Sequence, residues 1–226
     1  MKNKRILAPA LLCACLFSTV VQAGSMDPVS LDEIAQAKSL TQVTTSTPRL
    51  SARSLQADTA ARTTPTLEFL RVEAHRFEKS EASSDKRWAD VTSYDYATDE
   101  LVTRVVDLSN EKVLSTQRSK NMQPPLAAAE LTRALGIVFD DVEERRILNA
   151  EYLRITGEVL NSADQLNYKA FTFFADSMPT VVNSASKACG AQRCAQLVLY
   201  THDNVVFEVS PIVNLSAGVV TQRMGY

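Results

Sequence analysis

Few residues in this sequence have the type and spacing to do chemistry. Cys189-Gly-Ala-Gln-Arg-Cys194 places two thiols on either side of a four-residue gap, where a β-rich run begins. In an exported chain such a pair reads as a structural disulfide. As thiolates, joined by His202 and a methionine such as Met178, the same residues would make a soft-ligand set of the kind copper(I) accepts. The spacing is not a zinc signature. The chain has two histidines, His75 and His202. Either could enter a Ser-His-Asp arrangement, but no Gly-x-Ser-x-Gly fixes a nucleophile. Six glycines are present, and none forms a phosphate-cradling loop. Trp88, Tyr94 and Tyr96 cluster on one run and offer a partner-binding face, or else pack as core. No catalytic residue stands out, which points away from an enzyme and from a resident cofactor. Copper is the alternative.

The bulk numbers narrow the setting. Of 226 residues, 45% are hydrophobic and 22% charged, ordinary for a globular protein. The start differs. A basic Met1-Lys-Asn-Lys-Arg5 precedes an apolar run from Ile6 to Val21, and Val21-Gln22-Ala23 offers small residues for a peptidase. The run carries Pro9 and is shorter than the ~20 residues a membrane-spanning helix needs. Residues 1–23 therefore read as a cleaved export signal, and the protein as periplasmic or secreted, not membrane-spanning. A loose lipoprotein box, Leu12-Cys13-Ala14-Cys15, is the competing reading, with Cys15 lipidated. Loss of residues 1–23 takes 24 basic residues to 21 against 26 acidic, a net −5. That balance argues against nucleic acid as partner, because phosphate backbones recruit basic patches.

The elements that must position these residues follow from pattern. Ser30-Leu-Asp-Glu33 fits a capping box, so a short helix is expected there. Residues 41–66, rich in Thr, Ser and Ala with Pro48 and Pro65, read as a flexible linker. Runs at 67–77, 87–96, 101–108 and 112–118 are β-rich and separated by turn residues, an antiparallel meander. Pro124-Pro125 then opens a helical block that runs to Gly157, a left-handed stop. The charge run Glu143-Glu-Arg-Arg146 reads as a solvated face. Strand signals return at 166–175, 194–201, 205–215 and 218–224.

The two meanders repeat each other. Arg87-Trp-Ala-Asp-Val-Thr-Ser-Tyr94 matches Arg193-Cys-Ala-Gln-Leu-Val-Leu-Tyr200 at an offset of 106. Val105-Val-Asp-Leu-Ser-Asn-Glu-Lys-Val113 matches Ile212-Val-Asn-Leu-Ser-Ala-Gly-Val-Val220 at an offset of 107. Alternating apolar residues at turns mark a duplicated scaffold; Ser109 and Ser216 begin turns and need no chemical role. The expected fold class is α+β: two tandem units, each a roughly four-stranded antiparallel meander packed on helix. The divisions are residues 24–66 for helix and linker, 67–122 for the first unit, and 123–226 for the helical connection and second unit.

This tandem pattern, with its Val-Asp/Asn-Leu-Ser turn and the Gln123-Pro-Pro-Leu-Ala-Ala-Ala-Glu-Leu131 start of the second helix, resembles the small non-catalytic domains at the front of copper amine oxidases. Those domains, often called N2 and N3, are cystatin-like and similar in outline to PepSY modules. The resemblance covers residues 65–226 and implies a fold. Amine oxidases also carry three copper-binding histidines and a quinone-forming tyrosine on a further β-domain, to which nothing here corresponds. Asn167-Tyr168-Lys169 is superficially similar to the quinone triplet, but Lys replaces the acid inside an expected strand. The reading is an exported, non-enzymatic interaction or accessory module with a protein partner in the cell envelope. A copper-binding or amine-oxidase-associated protein is the alternative.

Overall fold

The computed structural model describes residues 27–43, 66–78, 86–178 and 180–225. The export signal, Cys15 and most of the Thr/Ser-rich stretch lie outside the described residues. Helix α1 (Leu31–Val43) comes first. A meander of β1 (Leu67–Ala74), β2 (Trp88–Asp95), β3 (Glu100–Asp107) and β4 (Lys112–Lys120) follows. Helices α2 (Ala128–Asp140) and α3 (Val142–Thr156) lead to β5 (Leu166–Thr172), β6 (Cys194–Thr201), β7 (Val209–Asn214) and β8 (Val219–Gly225). The strands form two four-stranded antiparallel sheets, ordered β1-β2-β3-β4 and β5-β6-β7-β8. The fold is α+β with two sheets that fit two tandem units.

The starts of α1 and α2 are held the same way. Ser30 N donates to Glu33 Oε2 at 2.7 Å and Glu33 N to Ser30 Oγ at 3.2 Å, a reciprocal cap on α1. Arg87, entering β2, grips that carboxylate with Nε at 2.6 Å and Nη2 at 2.7 Å. The same guanidinium donates to the carbonyls of Asp27 and Pro28. In the second unit Ala127 N donates to Glu130 Oε2 at 2.8 Å. Arg193, entering β6, grips Glu130 at 2.5 and 2.8 Å and donates to the carbonyls of Pro124 and Pro125. The duplication therefore includes the helix. Asp27-Pro-Val-Ser-Leu-Asp-Glu-Ile-Ala-Gln-Ala37 matches Pro124-Pro-Leu-Ala-Ala-Ala-Glu-Leu-Thr-Arg-Ala134 at an offset of 97.

Packing places α1 against the first sheet. Ala37, fully buried, sits with Ala89, Val91, Val106 and Leu108 of the first sheet. The two units also share a core. Tyr94 and Tyr96 of the first unit join Ala134, Leu135, Leu148, Leu197, Leu199 and Leu215 of the second in one apolar cluster.

Three expectations change in detail. The run expected at 205–215 is interrupted: residues 205–207 still pair with β6, Thr201 N donating to Val205 O and Phe207 N to Leu199 O at 2.9 Å each, but the ladder then breaks before Ile212, where Pro211 lacks an N–H. Ser210 Oγ donates to Leu197 O at 2.6 Å there in place of a backbone bond. The charge run is only partly solvated: Glu143 pairs with Arg146 in the open, whereas Glu144 is buried against Arg223. Asp141 separates α2 from α3 by accepting the N–H groups of Glu143 and Glu144, and left-handed Gly157 ends α3 as anticipated.

The two struts differ in environment. The Arg193 and Glu130 side chains are both 0% exposed, whereas those of Arg87 and Glu33 are 10% and 20% exposed. Arg193→Met strands a buried carboxylate and is expected to cost about 3–5 kcal/mol in urea unfolding, with much of it recovered by adding Glu130→Met. Arg87→Met is expected to cost only about 1 kcal/mol. The outer strut also titrates. Its hydrogen bonds to Arg87 hold Glu33 near 2, below its ordinary 4.5. A depressed carboxylate stabilises fully above its unfolded value and loses that contribution as pH falls towards the folded one. Between about pH 6 and about pH 3, the wild type is expected to lose more stability than Glu33→Gln, measured by urea midpoints.

Candidate functional site

The end of β1 and the start of β2 carry the first cluster of interest. His75 N donates to Trp88 O at 2.9 Å, which continues the β1–β2 ladder past Ala74. Side chains at matched positions then share a face, and His75 Nδ1 lies 2.7 Å from Asp90 Oδ1. The His75 ring stands 5.0 Å from Phe77 and 5.6 Å from Trp88, with Phe77 and Trp88 at 5.1 Å. Lys86 Nζ lies 5.0 Å over the Trp88 ring, a cation–π arrangement. Burial would raise Asp107, but hydrogen bonds from Asn110, Trp88 and the Ser109 backbone hold it below the usual carboxylate range.

Beside this corner runs a groove of about 820 Å³, open to solvent. One wall is residues 72–77, the outer edge of β1 and its extension. The other is Pro28, Val29 and Ile34, at and before the start of α1. Its lining is apolar at Val29, Ile34, Val72 and Phe77 and polar at Glu73, His75 and Arg76.

Of the three residues expected to form an aromatic face, Trp88 is half-buried, and Tyr94 and Tyr96 leave the surface. Tyr94 and Tyr96 are 0% and 8% exposed. They pack edge-on at 4.9 Å and are drawn inward by the second unit, away from the Trp88 corner. Tyr96 OH donates to Glu130 Oε1 at 2.6 Å and accepts from Arg133 Nη2 at 2.6 Å. Arg133 Nη1 continues to Glu68 at 2.7 Å. Gln123 Nε2 donates to Tyr94 OH at 3.3 Å, and Arg193 lies 5.2 Å over the Tyr94 ring. Burial pushes Tyr94 up to about 12 and Tyr96 higher still. Burial also works against the Glu130 charge, but the Arg193 bonds outweigh it and keep the carboxyl below its ordinary value. All these groups hold the units together.

Cys189 and Cys194 are bonded to each other and buried. The loop they close ends in Arg193, so the disulfide restrains the arginine of the inner strut. His202 sits in the exposed turn after β6, whereas Cys194 begins that strand. Eight residues at roughly 3.3 Å each put the two about 26 Å apart along the strand. The structure therefore does not assemble the Cys189, Cys194 and His202 ligand set, and Met178 lies in the loop after β5, exposed. Lys169 of the Asn167-Tyr168-Lys169 triplet is exposed on β5. His75 was visible in the sequence as a lone mid-strand histidine. Its Asp90 partner and the groove were not, because both arise from strand register and helix docking.

No family model and no curated protein matches the chain. Solved structures do. One is a copper-containing benzylamine oxidase from Hansenula polymorpha, at 13% identity and a TM-score of 0.51, covering 90% of this chain and 30% of that one. The fold is amine-oxidase-like. At that identity the likeness speaks for architecture alone, and this chain spans under a third of the oxidase it matches.

The disulfide yields a direct check. A proteolytic peptide pair holding Cys189 and Cys194 is expected two hydrogens lighter than the dithiol, and to take up alkylating reagent only after reduction. Cys189→Ala with Cys194→Ala is expected to lower unfolding stability by about 2 kcal/mol.

Proposed function

We propose that this chain is an exported, non-enzymatic accessory module that works by holding a protein partner in the cell envelope. Its two units are read as free-standing counterparts of the N2 and N3 domains of copper amine oxidases. The observation that carries this reading is the groove along β1: an apolar-walled cleft beside a strand edge. The leader-like residues 1–23 and the acidic balance after them favour the envelope over nucleic acid as the setting. The likeness to the benzylamine oxidase supports the architecture, and oxidase chemistry is no part of the proposal.

In-cell crosslinking of the tagged full chain, followed by purification from the envelope fraction, tests this reading. The expected result is one protein recovered in every repeat at comparable yield. Repeated recovery of the chain alone would overturn it.

A further inference from the structure

We propose that an extended segment of the protein partner adds as a fifth strand to the free edge of β1, seated in the groove between that edge and the start of α1. The proposal rests on the accessory-module reading and names the surface that reading needs.

Register supplies the argument. The His75 N–H bond to Trp88 O makes 75 and 88 a hydrogen-bonded pair. In an antiparallel ladder such pairs alternate with pairs whose N–H and C=O groups point away. Val72, Ala74 and Arg76 therefore turn their backbone groups outward, and all three line the groove. A row of donors and acceptors at strand spacing is matched by another backbone, and poorly by a compact small molecule. Val29 and Ile34 form an apolar wall on the helix side. The incoming segment therefore carries apolar residues at alternate positions, with polar ones facing Glu73 and the His75–Asp90 pair.

The other edges lack this combination. On β8, Asn183 Nδ2 donates to Thr221 O at 2.8 Å and Gln222 Nε2 to Val181 O, so a loop already occupies that edge. The β4 edge carries Lys112, Arg118 and Lys120, charges that protect a strand from pairing. The second unit has a direct counterpart of β1. Phe173 N donates to Cys194 O as His75 does to Trp88, which makes Thr172 the equivalent of Ala74. Thr172 Oγ1 donates to Pro124 O at 3.1 Å and ties the strand to the segment leading into α2. Ala74 has no such group, and its gap stays open.

The test uses the full chain and a short acetylated, amidated peptide of alternating Val and Thr, read by amide hydrogen exchange. The expected result is roughly tenfold or greater slowing at Val72, Ala74 and Arg76. Ala74→Pro deletes an outward N–H that the sheet does not use. It is expected to remove the slowing at Val72 and Arg76 while the His75 amide stays protected. Ile34→Arg, which charges the opposite wall, is expected to weaken the peptide as well. No slowing in the wild type, slowing along β4 instead, or slowing without peptide in a species of doubled mass would each overturn the proposal. An envelope partner retained by Ala74→Pro would overturn the groove and leave the module reading standing. Peptide capture at β1 with no envelope partner would do the reverse.

Discussion

One ionic contact organises both halves of this molecule: an arginine entering the second strand of a sheet grips the glutamate that caps the helix packed on that sheet. Each contact does three jobs. It neutralises the glutamate, fills the carbonyls of the segment before the helix, and fixes the helix at one height over the sheet. In the second unit all five N–H groups of Arg193 have acceptors among Glu130, Gln123, Pro124 and Pro125. A buried pair of this kind gives little net stability over an apolar filling, but it tolerates no partial version. Specificity of docking is the better description of its role.

The sheets were legible because alternation and turn chemistry repeat at offsets of 106 and 107 residues. Both meanders, and the α+β class, follow from residues such as Val106, Leu108, Val213 and Leu215. The place of α1 was not legible from periodicity, since a capped helix before a Thr/Ser-rich stretch looks detached. The signal was present in Pro28, Glu33 and Ala37, which stand where Pro125, Glu130 and Ala134 stand in the second unit. A comparison of helices as well as strands would have joined α1 to its sheet.

The site was less legible for a physical reason. Types and spacing along the chain drew attention to Cys189, Cys194, His202 and the tyrosines, but function at a surface depends on what remains unsatisfied after folding. The cysteines bond to each other, the tyrosines go inward, and His202 ends in a turn. Among the described residues, a row of backbone groups at the β1 edge, at Val72, Ala74 and Arg76, remains open. Backbone has no one-letter code, so a free edge becomes visible only once register and the neighbouring helix are known.

Tyr94 and Tyr96 belong to the first sheet by sequence and to the second unit's interior by contact. That arrangement makes the duplication energetically indivisible. The second unit cannot open its core without exposing the first unit's rings, so heat or denaturant should meet one cooperative transition rather than two. A gene fragment cut between the meanders would not yield two small domains. It would yield one half missing its stopper and another with two aromatic rings and no place to put them.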